Sequence, residues 1–176
     1  QLLKKIAKKN KPIILSTGAS TISEIKSTLN FLSQYKVDVI LNHCVLSYPT
    51  PTSSANLGML LNMSEEFPHI IGYSDHTVPD DDHLVLICAV SFGATVLEKH
   101  FTLDKSMPGN DHYHSYDESD LTEFNKKLQT LRSITGKELK EVLEVELPAR
   151  ENARRSLVYF DNYSKGMTIK EEMIVA

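Results

Sequence analysis

Four times along this chain a short, uniformly apolar run gives way to a stretch with helical periodicity, and that alternation limits the fold more than any other feature. "PIILS" (12–16), "VDVILNHC" (37–44), "HIIGYS" (69–74) and "ATVLEKHF" (94–101) read as strands. Helices are expected at 21–35, 55–67, 83–93 and 117–134. The first has Ile22, Ile25, Leu29 and Leu32 at helical spacing behind a Thr21/Glu24 capping box. Gly93 is placed to end the third helix, and Asp117 to cap the start of the fourth. Strands without in–out alternation belong to parallel sheets with helices outside them.

Two architectures satisfy that pattern, a doubly wound sheet and a (β/α)8 barrel. No GxGxxG or GxxxxGK[ST] follows any strand, so the nucleotide-binding sheets lack their usual signature. Every strand instead ends in a polar cluster: Ser16-Thr17-Gly18, His43-Cys44, Ser74-Asp75-His76 and Glu98-Lys99-His100. In a barrel, the C-terminal strand ends build the active site. The expected fold is therefore α/β, the C-terminal half of a (β/α)8 TIM barrel over residues 1–136. A whole barrel takes about 250 residues, and the chain opens at Gln1 as if inside a helix. The first half is thus expected to lie outside this sequence. Residues 137–153 are charged and linker-like, and "SLVYF" (156–160) and "GMTIKEEMIV" (166–175) are expected to pair as a hairpin across the turn-rich "DNYSKG". Residues 154–176 are expected to begin a small β-rich domain.

The formal charge of −4 supplies no basic field for nucleic acid or for an acidic membrane. No apolar run approaches the ~18 residues of a bilayer span. Cys44 and Cys88 are lone cysteines in apolar contexts, expected to be free thiols in a reducing cytoplasm.

Strand parity sorts the two richest clusters. Gly72, Ser74 and His76 share one face, as do Val96, Glu98 and His100. Histidines ending two consecutive parallel strands come close in space, and two imidazoles suit Mn, Fe, Co or Zn. His76 and His100 are the candidate metal ligands and, with Glu98, the candidate catalytic residues. Glu98 is expected to orient an imidazole, and Ser74 to donate to a phosphate or carboxylate. Each histidine alone would equally serve as a structural strand cap. Lys99 has the opposite parity and faces the helices, which argues against a Schiff-base role. The loop "MPGNDHYHSYD" (107–117) adds Asp111, His112, Tyr113 and His114, with His112 and His114 a weaker second metal pair.

Together "KPIILSTGAS", "HCVLSYPTP", "IGYSDHT", "EKHFTLDKSMPGNDH" and "ARRSLV…SKGMTIKEEMI" resemble the sialic acid synthases, the N-acetylneuraminate synthase family that also makes related nonulosonic acids. The resemblance runs in order from about Lys11 to the C-terminus. It implies a TIM barrel followed by an SAF (antifreeze-like) domain. It also implies condensation of phosphoenolpyruvate with an open-chain N-acetylated amino sugar, such as N-acetylmannosamine, with release of phosphate. By the same resemblance His76 and His100 hold a divalent cation, Mn2+ or Mg2+, that polarises the sugar aldehyde. Ser74 contacts phosphoenolpyruvate, with His100 beside it, and Tyr48 and Asp111 hold the amino sugar. Leu46 stands where some members carry an asparagine, and the "NDHYH" loop departs from many members. A domain-exchanged homodimer is implied as well. Two rival readings of the residues stay open: another metal-dependent barrel enzyme (a class II aldolase or hydrolase), and a non-catalytic carbohydrate-binding module.

Overall fold

The computed structural model describes all 176 residues and divides into two compact units, Gln1–Thr135 and Gly136–Ala176. The first unit opens with α1 (Leu2–Ala7) and then alternates β1 (Ile13–Ser16), α2 (Ile22–Ser33), β2 (Val39–Cys44), α3 (Gly58–Glu66), β3 (Ile70–Asp75), α4 (Leu84–Ser91), β4 (Val96–Lys99) and α5 (Glu118–Thr135). The strands lie in the order β1-β2-β3-β4, and every neighbouring pair is parallel. A parallel sheet in sequential order with a helix after each strand is half of a (β/α)8 barrel. The fold class is α/β.

Local chemistry explains where these elements begin and end. Thr21 caps α2 in full: its hydroxyl accepts from the Glu24 amide, and the Glu24 carboxylate accepts from the Thr21 amide at 2.8 Å. Asp117 and Asp120 cap α5 in the same reciprocal way, at 3.0 and 2.9 Å. Gly93 takes φ +96° just after α4, a conformation costly for any residue with a Cβ. The helix expected from residue 55 starts only at Gly58, because a 3-10 turn at Thr52–Ser54 and Asn56 at φ +46° precede it. The strand expected over 94–101 pairs only across Val96–Lys99.

Residues pointing toward the helices form the core. Leu41, Ile71 and Tyr73 pack with Ile25 of α2, Leu60 and Met63 of α3, and Val85, Leu86 and Ala89 of α4. The opposite, inner face is layered by register. Ile14, Ile40 and Ile70 align across one end, Ser16, Asn42, Gly72 and Val96 across the middle, and Cys44, Ser74 and Glu98 at the C-terminal end. Strands of a whole barrel are buried on both faces, and here they are not. Ile14 and Ile70 are each 53% exposed, because the helices of this chain cover only the outer face.

One inner position explains a glycine that periodicity passes over. Asn42, 0% exposed, leans over Gly72, where a Cβ would stand 2.2 Å from its Oδ1 and 2.7 Å from the Val96 carbonyl oxygen.

In the second unit, the segment expected to be linker contains a 3-10 turn at Glu144–Glu146 and α6 (Leu147–Asn152). β5 (Val158–Tyr159) pairs antiparallel with β6 (Ile174–Val175), the amide of Phe160 extending the ladder to the Met173 carbonyl at 2.9 Å. The two strands are therefore not joined by a tight hairpin at "DNYSKG". Most of "GMTIKEEMIV" lies between them, with a 3-10 turn at Glu171–Met173.

Candidate active site

The C-terminal ends of β3 and β4 bring two imidazoles together. His76 follows β3 by one residue and His100 follows β4 by one, and their ring centroids lie 5.3 Å apart, edge to face. His76 is buried, and its Nδ1–H donates to the Val45 carbonyl at 3.1 Å. That bond fixes the tautomer and leaves the Nε2 lone pair free. Burial pushes the His76 pKa below its ordinary value, which keeps the ring neutral and able to coordinate.

Tyr48 roofs the pair. Its ring centroid is 4.2 Å from that of His76 and 5.8 Å from that of His100. The loop that carries it is tied down by the Thr50 amide, which donates to the His76 carbonyl at 2.8 Å. Leu46 sits on the rim, 65% exposed.

Ser74 and Glu98 are register partners, and the Ser74 hydroxyl donates to Glu98 Oε1 at 2.6 Å. The expectation that Glu98 orients an imidazole is not what this geometry contains. One oxygen of its carboxylate accepts from Ser74, directly across the strand pair, and no imidazole hydrogen-bonds to it.

Lys99 takes the outward direction that parity requires. Its ammonium donates to Asp75 Oδ2 at 2.8 Å and to the Thr77 carbonyl, with side chains only 8% and 3% exposed. Asp75 also accepts from the Tyr73 hydroxyl at 3.1 Å, from the Thr77 amide at 3.0 Å and from the Thr77 hydroxyl at 3.1 Å. Burial lowers the Lys99 pKa, and the Asp75 carboxylate opposes that shift. This network, on the far side of the sheet from the histidines, holds the ends of β3 and β4 in register.

The loop after β4 reaches back to the imidazoles. Its ends are clamped where the Tyr116 amide donates to the His100 carbonyl and the Thr102 amide to the Tyr116 carbonyl, both at 2.8 Å. The two loop histidines expected as a pair are separated by this fold. His112 Nδ1 meets the Thr102 hydroxyl at 2.8 Å, whereas His114 turns inward, its ring 5.3 Å from that of His100. Coordinating atoms of His100, Asp111 and His114 all lie within 4.8 Å of one another. Sequence reasoning gave His114 little weight, because an H-x-H in a loop does not reveal which member the loop buries. His43 and His83 are structural: His43 Nε2–H donates to the Ala55 carbonyl at 3.0 Å, and His83 Nδ1 meets the Tyr116 hydroxyl at 2.7 Å.

A cleft of about 610 Å³, lined in part by Thr17, Ile25, Cys44, Leu46 and Met63, does not include His76, His100 or His114 in its walls. The titratable groups converge at the ends of β3 and β4, and the site belongs there. No helix of the chain is long and apolar enough to cross a membrane.

Known proteins share this arrangement of elements. The chain is 38% identical to the N,N'-diacetyllegionaminic acid synthase of Campylobacter jejuni, over 96% of its own length and 51% of that protein's. It is 30% identical to the mouse N-acetylneuraminate-9-phosphate synthase, over 98% of its length and 47% of that protein's. The crystal structure of N-acetylneuraminic acid (sialic acid) synthetase from Leptospira borgpetersenii serovar Hardjo-bovis, in complex with citrate, superposes with a TM-score of 0.77. That match has 31% identity and covers 88% of this chain and 54% of that one. The chain thus spans about half the length of the curated relatives it matches. Residues 1–140, which take in the whole of the barrel unit, match the NeuB family, and the chain belongs to that family.

Proposed function

We propose that this chain supplies the metal-bearing side of an enzyme that joins phosphoenolpyruvate to the aldehyde of an open-chain N-acetylated amino sugar. The products are a nonulosonic acid and inorganic phosphate. The carrying observation is the convergence of His76 and His100, 5.3 Å apart at adjacent strand ends under Tyr48, in a chain of the NeuB family.

The donor chemistry fits a divalent cation, and two imidazoles suit Mn2+ better than Mg2+. His76 is locked with Nδ1 as donor and Nε2 open, and burial keeps it neutral. When bound, the cation supplies Lewis acidity at the acceptor's carbonyl oxygen. The protein's own groups do the rest. Tyr48, 41% exposed beside His76, offers a ring face and a hydroxyl to the sugar, with Asp111 close to His100. Ser74 and Glu98 stand on the inner wall one residue before the strand ends, where Ser74 faces the phosphoenolpyruvate. Carbon 3 of phosphoenolpyruvate attacks the aldehyde carbon and water adds at carbon 2. One water proton ends on the new hydroxyl made from the aldehyde oxygen. The bond from carbon 2 to the phosphate oxygen then breaks, leaving a ketone and a phosphate that carries away the second proton. Glu98, held by Ser74, accepts the proton that the water gives up. The second unit serves as an SAF-like domain that covers the barrel of a partner subunit in a homodimer. The place of this chemistry is the cytoplasm.

The test is to incubate the full-length protein with phosphoenolpyruvate, a divalent cation and a panel of 2-acetamido sugars, and to read product mass. One acceptor is expected to give a product heavier by the pyruvate moiety, with one phosphate released per product. Turnover that ignores phosphoenolpyruvate would point to an aldolase or hydrolase. Sugar binding without turnover would point to a binding module.

A further inference from the structure

His114 is fully enclosed, at 0% exposure, yet neither of its ring nitrogens has a hydrogen-bond partner. Native interiors leave few polar groups in that state, so a buried imidazole with both nitrogens open needs an explanation. The loop is built to put it there. Beyond the clamp at Tyr116, the Ser115 amide donates to the His112 carbonyl at 3.2 Å, and the Ser115 hydroxyl donates to the Asp111 carbonyl. This fold-back brings Asp111 Oδ1 to 3.9 Å from His114 Nε2 and packs the ring between Tyr113 and His100.

We propose that His114 and Asp111 join His100 as ligands, so that the metal site extends from the strand ends into the loop. This rests on the reading that His100 holds the cation. A bound ion with bonds of about 2.1 Å draws its donors to roughly 3.4 Å from one another. The observed spread, within 4.8 Å, is therefore an open form that closes as the loop contracts onto the strand end. The second Asp111 oxygen stays available to the acceptor sugar. Placing an imidazole and a carboxylate beside His100, in a group of donor atoms that His76 does not join, shifts the preference away from Mg2+, which favours oxygen ligands and retained water. It favours Mn2+, Co2+ or Zn2+ instead.

The experiment is titration of the chelator-treated full-length protein with Co2+ and with Mg2+. Heat and the visible absorption of bound Co2+ are the readouts. Wild type is expected to bind Co2+ far more tightly than Mg2+. Replacement of partners that only orient a ligand already costs metal affinity about 10–100-fold. His114→Ala is expected to lose at least that much for Co2+ and to alter the Co2+ spectrum, while Mg2+ affinity changes little. Asp111→Asn, at a side chain 62% exposed where folding is not at stake, is expected to weaken Co2+ by about 10-fold or more. Wild-type Co2+ affinity and spectrum in Asp111→Asn and His114→Gln, with both lost in His76→Ala and His100→Ala, would overturn this proposal. The reading of the function would then stand. Wild-type binding in His100→Ala would overturn both.

Discussion

Asp75 accepts four hydrogen bonds, from Tyr73, Lys99, and the amide and hydroxyl of Thr77, while almost wholly removed from water. Removing one member of such a pair strands the other's charge, which costs about 3–5 kcal/mol. Asp75→Ala is expected to lose that much in urea unfolding, whereas Lys99→Met, which leaves Asp75 three donors, is expected to lose less. Neither change touches the inner face, so Co2+ affinity should stay within about twofold of wild type for Lys99→Met. A large loss of metal affinity in Lys99→Met would mean that the lysine faces the site after all. The outward direction of Lys99 was legible from strand parity alone, as was the inward direction of His76 and His100. The four-fold acceptance by Asp75 was not, because it depends on how the chain turns after β3 to bring Thr77 back. Nor was the burial of His114, which follows from backbone bonds in a loop that carries no periodicity.

Among the elements, those with caps written into the sequence are the ones whose ends were legible. Thr21, Gly93 and Asp117 each stand where expected, because a cap is a local bond between residues a few positions apart. The start of α3 is not legible for the converse reason, since Asn56 takes a left-handed conformation that composition alone does not reveal. The α2 cap has a pH signature. The Thr21 amide, then its hydroxyl, holds the Glu24 carboxyl below its ordinary 4.5. A carboxyl depressed in the folded state stabilises above its unfolded pKa, and that contribution is lost as pH falls through the folded one. Glu24→Ala is therefore expected to lower the urea midpoint at pH 7, with the difference from wild type shrinking by pH 3. A difference that stays constant with pH would show that the carboxylate plays no part. Within the sheet, Gly72→Ala drives a Cβ into Asn42 Oδ1 and the Val96 carbonyl, and is expected to destabilise by about 1–3 kcal/mol. Adding Asn42→Ala should restore only part of that, because the Val96 backbone remains in the way.

For the whole molecule, the half-barrel leaves apolar inner residues such as Ile14 and Ile70 exposed, and β1 and β4 each have one unpaired edge. Parallel sheets are stable when both faces are covered, so residues 1–176 in isolation are expected to self-associate in sedimentation velocity. A monomer at micromolar concentration would show that the inner face needs no cover. The alternation of strands and helices made this architecture legible, and the polar strand ends made its working end legible. The exposure of the inner face follows from the same reading, since half of a barrel leaves its apolar strand face without the other half to cover it. The proposed role of His76 and His100 in one metal-dependent condensation can be read most directly from phosphate release from phosphoenolpyruvate by the full-length protein. Release is expected to require both the acceptor sugar and a divalent cation, to return when the cation is restored after chelation, and to fall to background in His76→Ala and His100→Ala. Release that proceeds without the acceptor, or that survives in both histidine variants, would contradict it.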